Sequence, residues 1–312
     1  MSKRVFLFPG QGSQSVGMGK SLFENFVVAK RTFEEAGDAL SFDIKKLCFE
    51  GPESDLKLTQ NTQPAILTHS IAAFRVLTAE TPLRPDVVAG HSLGEYSALV
   101  AAGSLQFADA LRLVNKRGLF MQEAVPVGTG AMAALVGAAE DKARALCDAA
   151  RATTGKSAEL ANFNGGGQIV ISGHKEAVEA AARLAGADPA YGIAKAVLLA
   201  VSAPFHCSLM KRAEDNMRPL LESTKVAAPS CAYVANVDAK SYADAAGIVD
   251  RLVRQICGSV RWEQSMQLLP TLGVTEGIEV GPGRVLFGLM RRIQKDLKIR
   301  GMDTAEDLKA LQ

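Results

Sequence analysis

The feature that most constrains the fold is a serine between two glycines, in the sequence Gly-His-Ser-Leu-Gly at residues 90–94. Residues 86–89 predict a buried strand directly before it, and residues 95–102 predict a helix after it. A sharp strand-to-helix turn needs glycines at these positions, because the close approach of strand and helix leaves no room for Cβ atoms. The pattern predicts an exposed nucleophile at Ser92, with an ordinary tight turn as the alternative. It also places the backbone N–H of Leu93 at a helix N-terminus, where it can stabilise an oxyanion.

The order of predicted elements favours an α/β fold with an insertion. Residues 5–8 form an apolar run typical of a buried parallel strand. From about residue 130 the order becomes β-α-β-β-α-β, as in ferredoxin-like units, with strands at 131–136, 158–163, 168–172 and 194–201 and helices at 140–152 and 174–185. We therefore expect a large α/β-hydrolase-like domain with a mostly parallel sheet at 1–128 and 199–312, and an inserted ferredoxin-like subdomain at 129–198.

The part that follows the insertion should complete the large domain. The patterns there predict helices at 208–223, 243–256 and 263–272 and strands at 232–235 and 277–280. A Gly-Pro-Gly turn at 281–283 then leads into what we expect to be the final helix.

Composition excludes several classes of function. The 312 residues are 48% apolar, which is enough for a large core, and 35 basic residues against 33 acidic ones give no reason to expect a nucleic-acid partner. Apolar runs are too short for a signal peptide or a membrane span, so we expect a cytoplasmic protein. Neither a disulfide framework nor a metal site is expected, because the five cysteines are scattered and none forms a Cys-x-x-Cys pair: Cys48, Cys147, Cys207, Cys231 and Cys257.

A serine nucleophile needs a base, and the chain has four histidines. His206 follows the apolar run 197–201 on a predicted loop at the end of a strand, where α/β folds build their sites, and it is the best candidate. His91 should point away from Ser92 and pack beside the turn. His69 and His174 are expected to have capping or surface roles.

Arg117 lies at the margin of an apolar helical stripe, while Arg112 and Lys116 lie on the opposite face. A guanidinium that faces the interior should meet an anion, and its planar fork suits a carboxylate. Two interpretations remain open: a structural ion pair with an internal Asp or Glu, or recognition of a substrate carboxylate near Ser92.

Five short motifs, in this order along nearly the whole chain, resemble the malonyl-CoA:acyl-carrier-protein transacylases of fatty-acid synthesis. They are Phe-Pro-Gly-Gln-Gly-Ser-Gln at 8–14, Thr-Gln-Pro-Ala at 62–65, Gly-His-Ser-Leu-Gly-Glu-Tyr at 90–96, Pro-Phe-His at 204–206 and Glu-Val-Gly-Pro-Gly at 279–283. Acyltransferase domains of polyketide synthases share several of these motifs.

The resemblance implies ping-pong acyl transfer, with malonyl-CoA as substrate and the phosphopantetheine thiol of acyl carrier protein as acceptor. It implies a Ser92–His206 pair, with Arg117 bound to the malonyl carboxylate and no permanently bound cofactor. The enzyme is expected to be a monomer. Other positions that match the family are the oxyanion donors Gln11 and Leu93, the backbone carbonyl of Gln255 that orients the histidine, and the cleft-lining Gln63, Asn162 and Asn164.

Three other functions predict different behaviour. A serine hydrolase or thioesterase shares the turn but transfers its acyl group to water. A dinucleotide-binding oxidoreductase is suggested by Gly-Gln-Gly at 10–12, although Ser15 occupies the place of the third glycine. A non-catalytic scaffold that binds the carrier protein would not need Ser92. The basic residues near the end could meet an acidic carrier or CoA phosphates, although a solvated helix face is the favoured interpretation: Arg291, Arg292, Lys295, Lys298 and Arg300.

Overall fold

The structure, a computed structural model, describes residues 3–312 and contains two sheets. Its strands are β1 (Lys3–Phe8), β2 (Val87–Gly90), β3 (Gly130–Val136), β4 (Ala158–Gly165), β5 (Gln168–His174), β6 (Lys195–Leu198), β7 (Ala232–Val234), β8 (Ser241–Tyr242), β9 (Val274–Val280) and β10 (Lys298–Met302).

The described part of the chain forms fourteen α-helices. They are α1 (Lys20–Asn25), α2 (Val27–Leu40), α3 (Ile44–Glu50), α4 (Glu53–Leu56), α5 (Thr59–Glu80), α6 (Gly94–Ala101), α7 (Phe107–Glu123), α8 (Glu140–Thr154), α9 (Lys175–Ala187), α10 (Lys211–Glu222), α11 (Ile248–Arg254), α12 (Trp262–Gln267), α13 (Val285–Ile293) and α14 (Ala305–Lys309). None of these helices combines the length and the apolarity that crossing a bilayer requires.

The larger sheet has the order β10-β9-β1-β2-β7-β8, and all neighbouring strands are parallel except the short β7–β8 pair. Residues 5–8 of β1 are fully buried, as expected for a central strand covered on both faces. Phe8 pairs with Gly90. This register brings the loop after β1 beside the serine turn at the carboxyl edge of the sheet, where open α/β sheets build their sites. The predicted α/β class is confirmed.

The second sheet is antiparallel, with the order β4-β5-β3-β6. Together with α8 and α9 it has the β-α-β-β-α-β order that the sequence predicts, and the strand order is that of ferredoxin-like units. Leu135 and Ile171 on one face pack in a separate small core, whereas Met132 and Val170 on the other face join the main core. Backbone hydrogen bonds to Val260 also connect β4 to the larger unit. The division at residues 129 and 198 stays a prediction.

Several predicted elements differ from the structure. Helix α13 is not the final element, because β10 and α14 follow it. Lys298 and Arg300 therefore lie on an edge strand, where exposed and partly buried residues alternate, and not on a helix face. The helix expected at 243–256 begins only at Ile248, after Gly247 adopts a left-handed conformation with φ of 71°.

Candidate active site

Ser92 lies on the turn between β2 and α6, and its φ of 52° is in the left-handed region that few residues other than glycine adopt. A Cβ atom on Gly90 would lie 1.9 Å from the carbonyl oxygen of Gly94, and one on Gly94 would lie 2.0 Å from that of Phe8. Both glycines are therefore required for strand, turn and helix to approach this closely. The turn leaves the serine side chain partly exposed in a cavity.

His206 contacts the serine directly. Its Nε2 lies 2.7 Å from Ser92 Oγ, and its Nδ1 lies 2.9 Å from the backbone oxygen of Gln255. A carbonyl oxygen can only accept, so Nδ1 carries the proton and Nε2 is free to accept the serine hydroxyl. Burial, together with the nearby Arg117 guanidinium, lowers the pKa of His206 to about 3. The ring is therefore neutral near pH 7 and has the protonation state of a general base.

The guanidinium of Arg117 is 1% exposed and also faces the serine. Its Nη2 donates to Ser92 Oγ at 3.2 Å and to Gln255 Oε1 at 2.9 Å, and its Nη1 donates to Gln63 Oε1 at 2.8 Å. Among residues 3–312 no carboxylate forms an ion pair with it, and its Nε has no partner. The expectation that this guanidinium pairs with an internal Asp or Glu is therefore wrong. Within the protein, its hydrogen-bond acceptors are two neutral amide oxygens and a serine hydroxyl.

The two expected oxyanion donors are the backbone N–H groups of Gln11 and Leu93. Gln11 follows β1, Leu93 follows Ser92, and both line the same cavity. In the described part of the chain, neither backbone N–H has a hydrogen-bond partner. Both donors are thus free to bind a developing negative charge.

Asn162, Asn164 and His91 line the cavity from the side of the antiparallel sheet and the turn. His91 Nε2 lies 2.9 Å from Asn164 Oδ1, and its ring packs against Trp262 with the centroids 5.5 Å apart. Burial lowers the pKa of His91, against the opposing effect of the Asn164 hydrogen bond. His91 therefore packs beside the turn, as expected, and also links the turn to β4.

The cavity encloses about 200 Å³ between the two sheets. Its polar end holds the serine, the histidine and the arginine, and a row of apolar side chains from the second sheet and the following loop lines the rest. These apolar residues are Met132, Val170, Leu199, Val201 and Phe205. The cavity suits a short acyl group with one polar end.

The sequence patterns did not point to two residues next to the site. Asn236, which follows β7, accepts the N–H of Ser92 on Oδ1 at 2.7 Å. Glu95 is buried in the first turn of α6, and its Oε2 accepts the side-chain N–H of Gln255 at 2.8 Å. Burial raises the pKa of Glu95 to about 7. Glu95 belongs to the Gly-His-Ser-Leu-Gly-Glu-Tyr motif at 90–96, and this position in the motif could have identified it. Asn236 lies in none of the motifs, so no comparable signal pointed to it.

The remaining histidines lie away from the cavity. His69 is fully buried, and its Nε2 lies 3.0 Å from a carboxylate oxygen of Asp303. The expected surface role is therefore wrong, because α5 is enclosed by the core at this point. His174 occupies the capping position before α9, and its ring contacts Ser157. Within residues 3–312, no group of three His, Cys, Asp or Glu side chains could hold a metal ion.

The chain is similar to known acyltransferases in both sequence and structure. Residues 5–292 match the family described as acyl transferase domain. The chain is 46% identical to the malonyl CoA-acyl carrier protein transacylase of Salmonella typhimurium, with 99% of each chain covered. It is also similar to the acyl-carrier-protein S-malonyltransferase of Burkholderia pseudomallei, with a TM-score of 0.94, 46% identity and 99% of each chain covered. A third similar structure is a type II PKS acyl-carrier protein in complex with its malonyl-transacylase, with a TM-score of 0.94, 43% identity, and 99% of this chain and 98% of that one covered.

Proposed function

The chain belongs to the acyl transferase domain family and, within it, to the malonyl-CoA–acyl carrier protein transacylases, and on that premise we propose that Ser92 carries the malonyl group between two thiols. The donor is malonyl-CoA, and the acceptor is the phosphopantetheine thiol of an acyl carrier protein. One observation carries the proposal: Ser92 Oγ lies 2.7 Å from His206 Nε2 and 3.2 Å from a guanidinium that no carboxylate of the described chain neutralises.

In the first half-reaction, Ser92 Oγ attacks the thioester carbonyl carbon while His206 Nε2 takes the hydroxyl proton. The carbonyl oxygen becomes an oxyanion, and the free N–H groups of Gln11 and Leu93 stabilise it. The carbon–sulfur bond then breaks, and the CoA sulfur leaves with the proton from His206. The product is a malonyl ester of Ser92.

In the second half-reaction, the thiol of the carrier protein gives its proton to His206 and attacks the ester carbonyl. The same two N–H groups stabilise the second oxyanion, and the ester bond breaks as Ser92 recovers its proton from the imidazolium. The backbone oxygen of Gln255 holds Nδ1–H throughout and stabilises the transient positive charge. No acidic third residue is needed.

Arg117 supplies the selectivity for a dicarboxylic acyl group. A malonyl group places its carboxylate one methylene away from the attacked carbonyl, and Arg117 Nη2 is already within 3.2 Å of the attacking oxygen. Burial is the main cause that lowers the pKa of His206, and the Arg117 charge is the second. The bound carboxylate would offset this second cause. Binding of the correct substrate therefore strengthens the base at the moment it is needed.

The wider setting follows from the same proposal. We expect no permanently bound cofactor, because the histidine, the guanidinium and two N–H groups supply all the chemistry of the transfer. We also expect a monomer in the cytoplasm. Residues 129–198 form the inserted unit, whose Asn162 and Asn164 line the cleft with Gln63 of α5. Gel filtration at micromolar concentration measures the oligomeric state.

The intact mass of the protein after brief exposure to malonyl-CoA tests the proposal. We expect one malonyl adduct in the native protein and none in Ser92→Ala. Ser97→Ala is the matched control, because Ser97 is fully buried on α6 and its hydroxyl has no partner. Adding phosphopantetheinylated carrier protein should move the adduct to the carrier. Release of free malonate at the same rate with and without carrier would instead identify a hydrolase.

A further inference from the structure

The side chain of Asn236 bridges the serine turn. Its Oδ1 accepts the backbone N–H of Ser92, and its Nδ2 donates to the backbone oxygen of Gly90, both at 2.7 Å. The side chain is 1% exposed and reaches the turn across 144 positions of sequence. One amide group therefore satisfies the backbone on both sides of His91.

The backbone of Asn236 is fixed by hydrogen bonds to residues around the turn. Its backbone N–H donates to Glu95 Oε2 at 3.1 Å, and its backbone oxygen accepts from the N–H of Arg261 at 3.0 Å. Gln255 Nε2 donates both to the same Glu95 oxygen and to the backbone oxygen of Ser92, at 2.8 and 2.9 Å. Both peptide groups of the serine are thus bound by distant side chains.

We propose that Asn236 is a positioning residue for acyl transfer: it holds Ser92 in the left-handed conformation that aims Oγ at His206. This inference rests on the proposed function. A residue other than glycine keeps such a conformation only where its surroundings determine it, and the two Asn236 bonds provide that constraint. The bond to Oδ1 also occupies the N–H of Ser92, which leaves the N–H of Leu93 as the donor that the turn presents to an oxyanion.

The geometry predicts how two variants would behave. Asn236→Ala removes both bonds and should slow formation of the malonyl adduct about 100-fold, because a displacement of the reacting atoms by about 1 Å costs that much. The KM for malonyl-CoA should stay near its native value, since Asn236 is absent from the residues that line the cavity. The adduct should still reach one per chain, because the nucleophile and base remain.

Asn236→Asp keeps the acceptor for Ser92 N–H but sets a second carboxylate oxygen against the oxygen of Gly90. Protonation would restore the lost donor, so the acylation rate relative to the native protein should rise as the pH falls from about 8 to about 5. The titratable and charged groups around the turn are Glu95, Asp238, Arg117, His91 and His206. All of them are shared with the native protein, which is therefore the reference at every pH.

Rapid-quench mass spectrometry of the adduct measures these rates per active site. Asn115→Ala is the matched control, because its Nδ2 also bonds a distant backbone oxygen, that of Gln60, but lies outside the cavity, and it should acylate at the native rate. Native acylation rates in folded Asn236 variants, or loss of folded protein in both of them, would assign Asn236 a purely structural role and overturn the proposal. Failure of the native protein to form an adduct would instead remove the proposed function.

Discussion

Replacing Arg117 by alanine should change which acyl group the enzyme transfers. A hydrogen bond to a charged group contributes about 1.5–3 kcal/mol, so two bonds from a guanidinium to the malonyl carboxylate contribute about 3–6 kcal/mol. That range corresponds to a loss of roughly 10²- to 10⁴-fold in kcat/KM for malonyl-CoA. Acetyl-CoA has no carboxylate and should lose far less, so the ratio of the two kcat/KM values is the quantity to measure.

The structure supplies the controls for this experiment. Arg112 lies on the same helix, is exposed and pairs with Asp109, so Arg112→Ala should leave the malonyl-to-acetyl ratio unchanged. Arg117→Lys keeps the charge but loses the planar fork, and should recover only part of the selectivity. Arg117→Ala also leaves the side-chain oxygens of Gln63 and Gln255 without their donor, so the unfolding transition must be recorded for each variant.

A second readout of the same variant does not depend on the substrate carboxylate. Arg117 is one of the causes that lower the pKa of His206. Its removal should raise that pKa, and because the base must be neutral, the acid limb of the acetyl-transfer profile should move to higher pH. Equal losses for malonyl and acetyl transfer, with the acid limb unmoved, would refute both roles of Arg117.

Two further substitutions test the serine turn. Gly94→Ala should destabilise the fold by about 3 kcal/mol in chemical denaturation, because its Cβ would lie 2.0 Å from the backbone oxygen of Phe8. The control is Gly186→Ala on α9, where the new Cβ meets nothing within 4 Å; it should stabilise the fold by up to about 1 kcal/mol, and equal effects would contradict the steric argument. Burial raises the pKa of Glu95 from 4.5 to about 7. The folded state therefore holds a proton that the unfolded state releases between these values, and Glu95 contributes a fall of about 3 kcal/mol in the free energy of unfolding as the pH rises through this range. The lowered pKa of His206 contributes the opposite slope and the raised pKa of Glu279 the same slope, so the quantity to measure is the difference between the native and Glu95→Gln curves. That difference should change by about 3 kcal/mol between pH 4.5 and about 7, whereas Glu50→Gln, at an exposed position, should follow the native curve; parallel stability–pH curves for native protein and Glu95→Gln would disprove the role of Glu95.

Local sequence patterns predicted the elements whose physical cause is itself local. The turn at 90–94 is an example, because a buried strand, two glycines and a helix are enough to require it. The strand β10 was missed because Lys298 and Arg300 make an edge strand look like a charged helix face. Its pairing with β9 is a tertiary contact, and no local pattern encodes it.

The candidate site was predictable only where a residue type restricts the chemistry. A serine nucleophile needs a base, and four histidines left few choices. Arg117 was found for a similar reason, since an arginine on an apolar stripe needs a partner, but its partners proved to be amides of Gln63 and Gln255. Asn236 could not be found in this way, because an asparagine after a strand is common and its role depends on packing across the sheet.

The backbone shows why these distant contacts matter for catalysis. Among residues 3–312, four residues other than glycine have a positive φ, and Ser92 and His206 are two of them. Such conformations cost roughly 1–3 kcal/mol each, so the fold must supply contacts that hold them. Gln255 supplies several of these at once: its backbone oxygen holds His206, and its side chain holds Ser92 and the Arg117 guanidinium. Gln255→Ala would remove the side-chain bonds and keep the backbone oxygen that holds His206. Because Gln255 Oε1 accepts from Arg117 Nη2, the effects of substitutions at positions 117 and 255 should not be additive, and a double-mutant cycle of Arg117→Ala with Gln255→Ala should show coupling of about 0.5–3 kcal/mol.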